Sequence, residues 1–357
     1  KNNSIMKKLI LILGIGLLVL TSCSKDEIIV LPPEPEPADY TTLYMATNGF
    51  YDYPELVVSQ QLDHDGEIVY QCEDAQSSIL SLAAVGNDWY AVILRGDGAY
   101  NVVKNGESIQ VTGEVIHCFA VEDGSIYTVQ ENKLYNTVWV YKDFQRLYEV
   151  VGDVLYNTFS VDQGNVTMAV YGEPDYWYNG EFLPIEGLEE GGVKWVYGID
   201  KKGDDMLITY QDINSGKNMY WWNGTAHELS SQFIPHSSCI VNGHSFINGR
   251  KIVSQGVGSQ HGLPTVLMDG YENVLSTYAI DCSVVQTVAA NYTTYFLVKS
   301  VRNASSYIFA GFRLLDLPTI DIPDEYKQYY PYYSEGKMNL SNLGIKCFAV
   351  SASQEQQ

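Results

Sequence analysis

The sequence predicts an all-β chain built from repeated four-stranded units, and three observations support this. Strand and turn formers dominate, with 28 Tyr and 30 Gly among 357 residues, and long Ala/Leu/Glu/Lys stretches are few. From about residue 40, short aromatic and β-branched runs alternate with Gly, Asn and Asp, and no segment keeps a helical period over about a dozen residues. A hairpin signal also returns along the chain at near-constant intervals.

In chain order, Met6-Lys7-Lys8 leads into an apolar run from Leu9 to Leu20. At 1.5 Å per residue this run rises about 18 Å, short of the roughly 30 Å of a hydrocarbon core. It therefore reads as a signal peptide over residues 1–22. Leu20-Thr21-Ser22-Cys23 resembles the bacterial lipobox, which implies cleavage before Cys23 and acylation of that residue. Several acyl chains anchor stably where one is marginal. Ser24-Lys25-Asp26-Glu27 resembles the export signal of Bacteroidetes surface lipoproteins. That likeness implies display on the outer membrane, facing the cell exterior; a periplasm-facing lipoprotein is the alternative. Alternating Pro and Glu from Pro33 to Pro37 makes residues 23–38 a semi-rigid, self-repelling spacer. The body runs over 39–357.

Within the body, strands end in Asn/Asp-Gly turns such as Asn105-Gly106, Asn179-Gly180, Asn223-Gly224 and Asp269-Gly270. A type I′ hairpin turn needs positive φ at both central positions, which these pairs supply. With Asp65 and Asp143 included, the positions are 65, 105, 143, 179, 223 and 269, spaced by 40, 38, 36, 44 and 46. A second turn precedes each, as at Asp123-Gly124 and Gln163-Gly164. Each repeat reads as strand, turn, strand, loop, strand, turn, strand, the size of a β-propeller blade. Six internal repeats begin near Ile79, His117, Leu155, Val193, Cys239 and Cys282. Residues 42–71 hold three strand-like runs, and Ile345–Val350 supplies a fourth, which would close the ring and remove an open edge. The expectation is a seven-bladed β-propeller. Six blades is the alternative count, and an open pair of β-sandwiches the alternative architecture.

Charge and chemistry narrow the function classes. Residues 23–357 carry 18 basic and 43 acidic side chains, a formal charge of −25, which repels phosphate backbones and argues against a nucleic-acid partner. Five cysteines follow Cys23, an odd number, and they read as buried free thiols. His236, Cys239 and His244 cluster within one segment, too few converging ligands for zinc. No metal or cofactor is expected. Gly258-Ser259-Gln260-His261-Gly262 lacks nucleophile-elbow spacing. No catalytic residue stands out.

Trp139, Trp177, Trp221 and Trp222 suit packing between blades, whereas the insertion bearing Tyr329, Tyr330, Tyr332 and Tyr333 suits an exposed binding surface. Tyr156, Trp195 and His236 fall near starts of innermost strands, around one channel mouth. The expected function is a non-catalytic, monomeric binding module for a glycan or an envelope protein. A polysaccharide lyase or hydrolase on the same scaffold, and a structural component of an envelope complex, are the alternatives.

Overall fold

The computed structural model describes residues 42–48, 54–61, 66–188, 191–256, 259–290, 293–324, 327–329, 333 and 337–351. The signal and spacer segments, Cys23, Asp65, Tyr330 and Tyr332 lie outside the described residues.

Seven four-stranded antiparallel sheets succeed one another along the chain. Blades 2 to 7 take consecutive strands over 78–112, 115–150, 154–184, 193–228, 233–274 and 282–314. Blade 1 is shared. Thr42–Thr47, Leu56–Gln61 and Glu67–Gln71 supply three of its strands, and Ile345–Ser351 supplies the innermost. Leu43 stands opposite Val350 and Met45 opposite Phe348. The first strands of successive blades lie against one another, Ile345–Ser351 against both Ser78–Val85 and Cys282–Ala290. The sheets therefore form a closed ring of seven, which overturns both the six-blade count and the open sandwiches.

Two repeats begin earlier than the sequence suggests, at Val115 and Phe233. In the second case the polar run His236-Ser237-Ser238 hides the strand. Phe233 and Pro235 are buried on its inward side, and the alternation breaks just after them. Cys239 is the seventh residue of that strand and not its start.

The turns explain why Asn and Asp recur. Asn105-Gly106 adopts φ of 50° and 85°, and Asn223-Gly224 of 45° and 91°, the left-handed pair a type I′ turn requires. Asp143-Phe144 does the same without glycine. Each turn side chain also reaches back to the first residues of the second strand. Asn105, Asp143, Asn179, Asn223 and Asp269 accept from the backbone N–H of Trp89, Ile126, Val166, Met206 and Ser245, at 2.8–2.9 Å. Gly-Gly would satisfy the backbone angles but not this latch.

Carboxylates at the ends of first strands tie blade to blade. Glu122 accepts from the N–H groups of Gln163 and Gly164 in the next blade, and Asp162 from Gly203 in the one after. Buried Asp200 accepts from the Ser160 hydroxyl and, at 2.7 Å, from the Ile240 N–H, joining blades 4, 5 and 6.

Apolar side chains fill the wedges between blades. Trp177 packs with Tyr127, Val129 and Val140 across the blade 3–4 interface, and Trp221 is buried with Val196 and Ile208. A segment between blade 7 and the closing strand carries a two-stranded ribbon, Thr319–Asp321 with Lys337–Asn339, and a single helical turn, Leu340–Leu343. Its Leu317, Ile320, Met338 and Leu340 join Met45, Leu297 and Phe348 in one cluster, covering the seam where the ring closes.

Candidate functional site

Because every blade is antiparallel, the chain crosses the ring with each strand. First–second and third–fourth turns therefore emerge on one face, and second–third turns and blade-to-blade connections on the other. All the latches above belong to the first face. The second face is built differently.

On that second face large apolar side chains stand in water. Leu134 and Tyr135 occupy the second–third turn of blade 3, Tyr171 and Ile213 those of blades 4 and 5, and Val301 that of blade 7. Val151, Tyr278 and Ile280 lie in blade-to-blade connections, and Tyr278 is 95% exposed. Among the described residues, Phe312 alone is so placed in a turn of the latched face.

Near this open face the first strand of every blade slips register against the second. The slips fall between Ile79 and Ser81, Ile116 and Cys118, Leu155 and Ser160, Val196 and Gly198, Pro235 and Ser237, Val284 and Gln286, and Ile345 and Cys347. A bulge leaves its extra residue unpaired and re-aims that side chain. The residues so released include Leu80, His117, Tyr156, Asn157, Tyr197, His236, Val285 and Lys346. Leu80, His117, Asn157, Val285 and Lys346 line a central cavity of about 580 Å³, together with Gln286, Lys299 and Cys347. That volume falls in the range of about 300–1,000 Å³ typical of ligand sites.

Three of the residues singled out in the sequence stand near the starts of the first strands of blades 4, 5 and 6, and none of them lines the cavity. Tyr156 is the third residue of its strand, and its ring stacks on His117 at 4.5 Å. Trp195 is 43% exposed and meets Tyr171 edge-on at 5.9 Å. His236 is itself a bulge residue. Solvent reaches it, but the surrounding protein strips hydration from the ring, and this burial, with the nearby Arg250 charge, pushes its pKa below the usual imidazole value. The tyrosine run divides. Tyr329 is exposed, while Tyr333 is half-buried against the seam cluster. His117, Asn157, Lys299 and Lys346 were not picked out from the sequence. His117 is the third residue of its strand and His236 the fourth, so only the bulge makes them equivalent, and nothing in the sequence marks a bulge.

The cavity's polar groups are mostly engaged. Glu55 accepts from Lys346 Nζ at 2.9 Å through both oxygens, and from the Ile79 N–H at 2.6 Å. His117 Nε2 lies 2.8 Å from Glu131. Cys118 Sγ donates to the Tyr156 carbonyl at 3.0 Å, and burial raises its pKa; burial likewise pushes the Cys347 thiol up to about 12. These are poor nucleophiles, since the thiolate is the reactive form. Cys72, Cys118, Cys239, Cys282 and Cys347 are all free. Among the described residues no three His, Cys, Asp or Glu side chains converge on a metal position, and no helix is long and apolar enough to cross a membrane.

No protein-family model and no curated protein matches the chain. Solved structures do. The β-propeller domain of the Trilobed protease from Pyrococcus furiosus aligns over 75% of this chain and 89% of its own, at 10% identity and a TM-score of 0.51. Its description gives an open velcro topology, whereas here the two chain ends pair in one sheet. Pyrococcus horikoshii acylaminoacyl peptidase aligns over 82% of this chain at 12% identity and a TM-score of 0.52, and the chain spans about half (52%) of that protein. At such identities the likeness concerns fold alone. The chain is a seven-bladed β-propeller whose ends share a blade.

Proposed function

We propose that the chain is a lipid-anchored binding module of the outer membrane, facing the cell exterior, which takes a glycan on the open face without catalysing a reaction. One observation carries the reading: exposed aromatic side chains gather on the face where the central cavity opens, among them Trp195, Tyr171, Tyr135 and Tyr278. Flat apolar rings on the same face as a polar pocket suit sugar, which has one apolar face and many hydroxyls. The lipobox-like Leu20–Cys23 and the acidic run after it support the address. The non-catalytic reading rests on the cavity lining, which among the described residues includes no carboxylate, and on the pairing of the two carboxylates that hold its basic groups, Glu55 with Lys346 and Glu131 with His117. Glycoside hydrolysis needs two carboxylates free to share the work.

An envelope protein partner is the second reading, favoured by the aliphatic Leu134, Val151, Ile213 and Val301 on the same face. The soluble body, residues 39–357, applied to a glycan array decides between them. Retention of a defined glycan that is recovered unchanged supports the proposal. Cleavage of the glycan overturns the non-catalytic reading. Capture of no glycan at all overturns the glycan reading and leaves the protein partner.

A further inference from the structure

We infer that the central cavity holds a carboxylate, that of an acidic sugar, on Lys299; this deepens the glycan reading and rests on it. The argument starts from the charges at the seam between blades 7 and 1. Two lysines line the cavity, Lys299 from the second strand of blade 7 and Lys346 from the closing strand. Lys346 is neutralised: both Glu55 oxygens sit 2.9 Å from its Nζ, and the Ser78 hydroxyl lies 2.6 Å away. Lys299 has no such partner. Its Nζ donates to the Lys346 backbone carbonyl at 2.6 Å, and no carboxylate pairs with it among the described residues.

An ammonium offers three donors, so two remain for an incoming group. A half-buried cation without a counter-charge is costly to keep. Burial accordingly lowers the Lys299 pKa. A carboxylate entering the cavity would supply the missing charge where hydration has already been lost, and charge-assisted hydrogen bonds are strongest there. The formal charge of −22 on residues 39–357 does not oppose this. At physiological salt, charges more than about 8 Å apart are largely screened, so Lys299 governs a small monoanion, while a long polyanion meets the acidic exterior.

Isothermal titration of the 39–357 body with galacturonate, galactose and lactate is the test, repeated on Lys299→Met with its fold checked by circular dichroism. The expected result is galacturonate binding about tenfold or more tightly than galactose, with the gap abolished in Lys299→Met and lactate, a carboxylate without the ring, weaker than galacturonate. In the unmodified protein, titration in two buffers of different ionisation enthalpy should show proton uptake with galacturonate at alkaline pH, a readout that needs no variant. Equal affinity for galacturonate and galactose overturns this inference and leaves the glycan reading standing. Lactate binding as tightly as galacturonate, with galactose silent, retains the carboxylate site and overturns the sugar. Silence with all three overturns both.

Discussion

The two faces of the ring solve different problems. On one, turns are short, set by left-handed Asn-Gly and Asp-Gly pairs, and each turn side chain caps a neighbouring strand. Carboxylates then bind that face from blade to blade. On the other, connections vary in length, first strands bulge, and tyrosines, a tryptophan and aliphatic side chains face water. Exposed apolar surface gains nothing for folding, so its concentration on one face points to a use other than stability. The latched face holds the ring together; the open face is where the blades differ from one another.

That contrast can be broken from the structural side, beginning with the closure on which both faces depend. Phe348 is fully buried in the seam cluster. Phe348→Ala should cost about 3–5 kcal/mol, read as a lower urea midpoint. A loss below 1 kcal/mol would mean that the closing strand contributes little. Asp200→Ala comes next. It strips the partner from the buried Ile240 N–H, at about 1–3 kcal/mol, and should loosen blades 4 to 6 together in hydrogen exchange.

Smaller effects test the latch itself. Asn223→Gly keeps the positive φ but removes the acceptor for the Met206 N–H, so about 1 kcal/mol should be lost. Asn223→Ala should lose more, because a β-carbon in the left-handed region adds about 1–2 kcal/mol. Equal losses would deny the turn its backbone role. The smallest effect belongs to His236. Its pKa is lowered in the folded chain, so the unfolded chain takes up a proton first as pH falls. Stability should therefore be intact above about pH 6.5 and decline as pH drops toward the folded value. His236→Gln should flatten that slope.

The latched face was largely legible in the sequence, because blades 2 to 6 repeat the same answer, and Asn105, Asn179, Asn223 and Asp269 mark it at regular intervals. Even Asp143, which lacks a following glycine, kept its place in the series and takes the same turn. Closure was legible from the missing first strand. The candidate site was legible only in part. Counting from strand starts put Trp195, Tyr156 and His236 near the open face, where they stand, although none of them lines the cavity. Lys299 and Lys346 were not, since a lysine on a strand carries no mark of its partner, and Glu55 lies 291 residues from Lys346. Tyr333, read as part of an exposed surface, is half-buried against the seam cluster, a contact with residues distant in the chain that its own neighbours do not signal. A repeat reveals what blades share, whereas a binding site is made from what they do not.

The most direct test pairs one substitution from each face. With a glycan retained by the array, dissociation constants are measured for Trp195→Ala and Asn223→Gly beside the unsubstituted body. Trp195→Ala should leave stability within about 0.5 kcal/mol and weaken binding about tenfold or more, while Asn223→Gly lowers stability and leaves affinity unchanged. Binding lost through Asn223→Gly and kept through Trp195→Ala would contradict the division of labour between the faces.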